Sequence, residues 1–273
     1  QSAFWQSFIA LVLVIILAFL ILHINNRYSF IRVRTMLPAP FFIILISGFT
    51  HMHTLHPVYF SAIFVLFAIF KFFSAFDKVK PYSAVFDTGL LLGIASLFYF
   101  NVIVLFPAFL FGIGILTRET RWRSFVIVLL GTALPFILAL GYAFFTDRFL
   151  ELLKVFELST LTPNNHFREN ITLHIYLGFL ILLTGLGSIR IIEQYDSKKV
   201  STRKFFTVFF LIFICSLASF TFIPATSQEM LVITAIPVTF LVSNFFFFMK
   251  SRFWGETLFT LFLVLVIALQ FLA

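Results

Sequence analysis

Charge is the scarcest property of this chain. Asp, Glu, Lys and Arg make up 11% of its 273 residues, while hydrophobic types make up 61%. Soluble domains commonly carry about a quarter charged residues, so a soluble globular fold is excluded. Cysteine is nearly absent too. The single thiol, Cys215, rules out an intrachain disulfide and a thiolate metal site, and its apolar surroundings mark it as a small core residue. The residue alternation of barrel strands is missing, which leaves α-helices as the way to satisfy backbone amides in hydrocarbon. A glycine-rich phosphate loop with lysine, a His-Glu-x-x-His pair and a nucleophile elbow are all lacking. There is no internal repeat and no low-complexity linker. The chain opens Gln1-Ser2-Ala3-Phe4, without Met or a basic leader, so no signal peptide is expected and the sequence reads as the remainder of a longer chain.

What is present is a succession of apolar runs. Runs of roughly 15 to 22 residues match the length a helix needs to cross hydrocarbon. They place spans near 8–24, 37–50, 58–73, 83–99, 102–117, 124–145, 173–192, 205–223, 230–248 and 257–273. The expected fold class is therefore all-α: a polytopic transmembrane helical bundle of about ten spans, one membrane domain over 1–273. Two stretches strain this scheme. The segment 83–117 must cross twice, with its turn near Tyr99-Phe100-Asn101, and the span at 37–50 is short, with Pro38 and Pro40 in its first turn. Pro107, Pro135 and Pro237 interrupt the fifth, sixth and ninth spans, where kinks are expected.

The basic residues orient the bundle. If the first span runs outside to inside, the inner loops collect Arg27, Arg32 and Arg34, then Lys71, Lys78 and Lys80, then Arg118, Arg121 and Arg123. The later inner loops collect Arg190, Lys198, Lys199, Arg203 and Lys204, and finally Lys250 and Arg252. That is sixteen of the nineteen Lys and Arg; only Arg148, Lys154 and Arg168 fall outside. Basic side chains resist translocation and meet anionic lipid on the cytoplasmic face. The bias points to a multi-pass membrane protein with cytoplasmic basic loops and an outer amino terminus. That terminus in turn implies an eleventh span upstream in the intact protein. The net charge of +8 is explained in this way, and no nucleic-acid partner is expected.

The longest soluble piece is the outer loop 146–172. Asp147, Arg148, Glu151, Lys154 and Glu157 alternate at helical spacing with Phe149, Leu150, Leu152, Leu153 and Phe156, the pattern of an amphipathic helix lying on the membrane surface. The turn residues Thr162-Pro163-Asn164-Asn165 follow, then His166, Arg168 and Glu169. Phe is unusually common, at 44 residues, which suits lipid-facing and packing roles.

Three groups of residues carry candidate chemistry. His51, His53 and His56 bring three imidazoles to one outer loop. With no carboxylate in that loop, they suit a polar rim or an interfacial loop better than a metal site, and neither metal nor cofactor is expected. His166, Arg168 and Glu169 join this candidate outer polar rim, as groups able to meet a phosphate or a sugar. Asp87 is the deepest acid, near the start of the fourth span, where the helix dipole and Lys80 or Arg118 suit an anchoring role better than a proton relay. Gly89 and Gly93, four apart, allow close helix packing.

Asn26-Arg27-Tyr28, Leu37-Pro38-Ala39, Phe86-Asp87-Thr88-Gly89, Gly93 to Tyr99, Arg121-Trp122-Arg123 and Phe145-Thr146-Asp147 together resemble an uncharacterised family of polytopic Bacteroidota inner-membrane proteins. More distantly, Gly89 to Leu116 followed by a basic loop is similar to the membrane core of GT-C type polyprenyl-phosphate-dependent glycosyltransferases. That resemblance implies a GT-C-like helix arrangement and a polyprenyl-phosphate-linked ligand. It lends no catalytic residue, because the acidic pair expected in an outer loop of such enzymes has no counterpart here.

Two functions follow as expectations. One is a non-catalytic subunit of a cell-envelope membrane assembly, with membrane lipids and other membrane proteins as partners. The other is a GT-C-like glycosyltransferase or lipid-carrier-handling protein at the outer leaflet. The topology beneath both is testable. In a Cys215→Ser background, a membrane-impermeant maleimide applied to intact cells should label Asn165→Cys and leave Lys198→Cys untouched until the cells are opened; the reverse pattern would invert the bundle.

Overall fold

Apolar runs that must bury their own amides produce helices almost throughout. The computed structural model describes residues 2–30, 35–48, 54–118, 122–162, 171–193, 199–249 and 251–272, and no strand occurs among them. In chain order the helices are α1 (Ser2–Tyr28), α2 (Pro38–Ser47), α3 (Pro57–Phe73), α4 (Tyr82–Phe98), a 3₁₀ segment (Phe100–Leu105), α5 (Phe106–Leu116) and α6 (Trp122–Phe145). They continue with α7 (Phe149–Leu161), α8 (Ile171–Glu193), α9 (Val200–Phe222), α10 (Met230–Phe247) and α11 (Arg252–Leu272). Among the described residues, five helices are long and apolar enough to cross a membrane: Phe4–Tyr28, Trp122–Phe145, Val200–Phe222, Met230–Phe247 and Phe253–Phe271. Five shorter apolar helices accompany them, the pattern of a multi-pass membrane protein.

The bundle is built around α10. Every residue of it from Met230 to Phe245 is buried, whereas α1, α6 and α11 turn large apolar side chains outward, such as Phe4, Leu138 and Phe271. Helices α2, α3, α8 and α9 pack around α10. Apart from tyrosine, the buried polar side chains among the described residues are Ser, Thr and Asn, and no charged side chain is buried. Their hydroxyls mostly return to the carbonyl one turn earlier, as Thr88 does to Ala84 at 2.7 Å and Thr132 to Val128 at 2.9 Å. Such back-bonding satisfies a hydroxyl where no water reaches.

At one end of the bundle, Ser29 takes a left-handed φ of 49° and turns the chain so that Phe30 enters the core. Its ring lies 5.2 to 5.8 Å from those of Phe73, Phe205, Phe206, Phe209 and Phe240, drawing α1, α3, α9 and α10 into one aromatic cluster. The Tyr28 hydroxyl donates to the Phe70 carbonyl at 2.7 Å, fastening the ends of α1 and α3.

Helix α2 differs from the apolar run that contains it. Its ten residues rise only about 15 Å, half the hydrocarbon thickness. Pro38 and Pro40 delay its start, because proline is at ease only in the first turn. Its end leaves four carbonyls without intrahelical partners, and all four are met. Ser47 Oγ donates to the Ile44 carbonyl at 3.0 Å, and the Gly48 N–H turns back to Ile46. The Tyr176 hydroxyl of α8 donates to the Leu45 carbonyl at 3.1 Å, and the Gln270 amide of α11 donates to the Ser47 carbonyl at 2.9 Å.

The double crossing between 83 and 117 breaks at Tyr99, which is extended (φ −142°, ψ 101°). Beyond it the chain winds as the 3₁₀ segment and then as α5. Pro107 therefore opens an α-helix and does not kink one, while Pro135 and Pro237 lie inside α6 and α10. Helices α4 and α6 meet backbone to backbone. A Cβ at Gly89 would stand 2.3 Å from the Val128 carbonyl oxygen, one at Gly93 2.5 Å from that of Thr132, and one at Gly131 2.6 Å from that of Phe86.

Two outcomes are expected for thermal unfolding in detergent. Gly93→Leu should lower the midpoint clearly, since overpacking a tight contact costs about 1–3 kcal/mol, while Gly141→Ala, whose Cβ meets nothing within 4 Å, should not lower it. Tyr176→Phe should cost roughly 0.6 to 1.7 kcal/mol, the range of interhelical hydrogen bonds in membranes; no change would mean that the Leu45 carbonyl needs no donor.

Candidate functional site

The end of the bundle opposite the Phe30 cluster gathers polar side chains from four separate places in the chain. Pro57 begins α3 and leaves His56 as its extended N-cap residue (φ −119°, ψ 146°). The backbone N–H groups of Met230, Leu231 and Val232 donate to the carbonyls of Ser227, Gln228 and Glu229, forming a tight first turn for α10 with Glu229 at its entrance. A carboxylate is favoured there by the helix dipole. His56 Nδ1 lies 3.0 Å from Glu229 Oε1, and His56 Nε2 lies 3.0 Å from Thr54 Oγ1. Facing a carboxylate, Nδ1 carries the proton and donates; Nε2 then accepts from the Thr54 hydroxyl when the ring is neutral.

Beside this pair runs a short chain of neutral groups. Asn101 Nδ2 donates to the Tyr99 hydroxyl oxygen at 3.3 Å, and that hydroxyl lies 3.4 Å from Ser227 Oγ. Burial, reinforced by the Glu229 carboxylate, pushes the Tyr99 phenol above its ordinary value and keeps it a neutral hydroxyl. Asn101 is 3% exposed, and its Oδ1 has no hydrogen-bond partner among the described residues. Buried amide oxygens are normally satisfied, so this one marks a place for a donor.

These residues line a cleft of about 430 Å³. Tyr99, Asn101, Ser227 and Glu229 supply its polar wall, and Leu158, Ser159 and Thr162 its far side, from α7 and the residue after it. Helix α7 is held there by Phe156, whose ring lies 5.1 Å from that of Phe100. Glu151, Lys154 and Glu157 on its outer face are exposed, and so are Leu150, Val155 and Leu158; none of its residues is buried. A second, apolar groove of about 550 Å³ lies between α1 and α2, lined by Ala10, Leu11, Val14, Ile43 and Ile46. It reaches Tyr59, one helical turn beyond His56.

Of the candidate residues read from the sequence, His56 stands at the cleft's edge, paired with Glu229. His51, His53, His166, Arg168 and Glu169 lie outside the described residues. Asp87 is far from the cleft, at the opposite end of the bundle. Lys71 of α3, and not Lys80 or Arg118, reaches it, with Nζ 2.9 Å from Oδ2. Gly89 and Gly93 line the α4–α6 contact. No group of three His, Cys, Asp or Glu side chains converges among the described residues.

Sequence reasoning overlooked Glu229, Tyr99, Asn101 and Ser227. One signal was there to find: Glu229 is a lone acid opening a run with no charge up to Lys250, on the same side of the membrane scheme as His56. No curated protein and no solved structure matches the chain. A family model does match, over residues 1–273, and by it this chain belongs to the family of unknown function DUF6427.

Proposed function

We propose that this protein is an inner-membrane protein of about ten spans that holds the hydroxyl-bearing head of a lipid-linked ligand at the outer face, without transforming it. The span count is supported by the five long and five shorter apolar helices, of which α2 covers only about half the hydrocarbon thickness by itself, with α7 left on the surface. The orientation rests on the basic loops, which put Lys71, Lys78, Arg118 and Lys204 at the cytoplasmic end and the His56 cleft at the outer one.

The observation that carries the reading is the buried Oδ1 of Asn101, a residue of the cleft lining, which has no partner among the described residues. With Glu229 beside it, that wall is rich in acceptors. Sugar or glycerol hydroxyls satisfy such a wall; a bare phosphate would bring more acceptors and a charge of the wrong sign. The apolar groove that reaches α3 one turn below His56 offers a place for the attached tail. The distant resemblance to GT-C membrane cores makes a polyprenyl-phosphate carrier the natural tail, with the head group beyond its phosphate in the cleft.

A holding role is favoured over glycosyl transfer because the described lining offers one carboxylate, already paired with His56. The acidic pair that the GT-C resemblance implies for an outer loop has no counterpart in the sequence. Holding a lipid-linked head is a task that a non-catalytic subunit of a cell-envelope assembly performs for its partners. In this way the two functions expected from the sequence join.

The test is binding to the full chain in nanodiscs, with a prenyl-phosphate-linked hexose and the bare prenyl phosphate as probes. The hexose conjugate should raise the unfolding midpoint more than the bare phosphate does. Asn101→Ala should weaken the conjugate about tenfold, the value of one or two hydrogen bonds, and leave the bare phosphate unaffected. Equal binding of both probes, or an unchanged affinity in Asn101→Ala, would overturn the reading.

A further inference from the structure

A smaller groove, of about 330 Å³, opens between α1, α3 and α4 at the Lys71 end of the bundle, remote from the cleft. Its walls are apolar: Leu20 and Ile24 of α1, Leu66 and Phe67 of α3, and Leu91 of α4. Its rim carries two nitrogen-bearing side chains, His23 and Lys71. His23 is exposed, with its ring 5.8 Å from that of Phe70. One turn further along α1, at the i+4 position on the same face, stands exposed Arg27.

We propose that this groove is a binding site for an anionic phospholipid, with one acyl chain between α1 and α3 and the phosphate held by Lys71 and Arg27. Three observations carry it. The walls present hydrocarbon to hydrocarbon, and the neighbouring outward face of α1 is apolar as well, with Ile15 and Phe19 exposed. Lys71 at the rim and Arg27, one turn beyond His23, stand in the last turns of α3 and α1, where basic side chains reach toward the headgroup level. Lys71 Nζ has three donors and gives one to Asp87 at 2.9 Å, so two remain for a phosphate oxygen.

Asp87 has two opposed effects in this arrangement. Its carboxylate aims the Lys71 ammonium along the α3–α4 seam, and it also repels any anion that approaches the same nitrogen. A zwitterionic head presents its own cation to this rim and gains less from it. An anionic head gains the full attraction.

Native mass spectrometry of the full chain in detergent, titrated with phosphatidylglycerol or with phosphatidylcholine of identical chains, decides the matter. The ratio of the two affinities within each variant is the quantity read, because it is insensitive to the folded fraction. The unaltered chain should prefer phosphatidylglycerol about tenfold, and Lys71→Gln should remove most of that preference. Asp87→Asn should raise the preference above that of the unaltered chain, a result that a purely structural ion pair does not produce. Leu91→Trp, which fills the groove, should weaken both lipids together, and inorganic phosphate should not compete. Equal affinity for the two lipids, a preference lowered by Asp87→Asn, or displacement by inorganic phosphate would each overturn the proposal.

Discussion

Helix α10 gives the lipid no face to touch, and that constraint governs its neighbours. A helix buried on all sides must be surrounded, so α2, α3, α8 and α9 close around it, and the lipid-facing work passes to α1, α6 and α11. Without a hydrophobic gradient between helix and lipid, packing density and interhelical hydrogen bonds decide the arrangement. Both are visible here. Backbones touch at Gly89, Gly93 and Gly131, and Gly187 brings α8 close enough to α10 that a Cβ would stand 2.9 Å from the Leu241 carbonyl oxygen. The phenylalanines divide between the two surfaces: Phe30, Phe209 and Phe240 fill the centre, while Phe144 and Phe145 end α6 largely exposed.

The existence of the helices was legible in the sequence because each apolar run satisfies its own amides and needs no knowledge of its neighbours. The break between α4 and α5 was legible for a related reason. Basic flanks on both sides require a return, and the chain can turn only where polar side chains such as Tyr99 and Asn101 interrupt the run. The shape of α2 was not legible. A run ending at Thr50 hides a helix ending at Ser47, because what permits that end is a hydroxyl from α8 and an amide from the last helix. Tyr176 and Gln270 carry no local mark that they serve a helix so far away in the chain. The partner of Asp87 was misplaced for the opposite reason. Lys80 is nearer in the chain and Arg118 belongs to the loop at the same end, but Lys71 sits on a helix packed along α4 and has a fixed direction toward it.

The cleft follows the same division. His56 was legible because three imidazoles in one short loop stand out in a chain with six in all. Glu229 was hidden by its isolation, since a pattern of paired acids was the signal sought and a single acid has none. Asn101 carries even less local information. What makes it a candidate is a negative fact of the folded state, a buried carbonyl oxygen with no donor among the described residues, and no window of sequence contains that.

The Glu229 carboxylate also limits what the cleft can accept. It stands at the entrance of α10, where the first N–H groups of the helix favour negative charge, and His56 Nδ1 meets one of its oxygens. One of its oxygens thus has a donor before any ligand arrives. An anion would meet the carboxylate at short range in a partly desolvated cleft, where like charges repel far more strongly than in water. A neutral group with donors to spare suffers neither penalty, and it alone also satisfies Asn101. On the proposed reading the carboxylate acts as a filter on charge, and the Asn101 amide as a filter on hydrogen bonding. A hydroxyl group passes both.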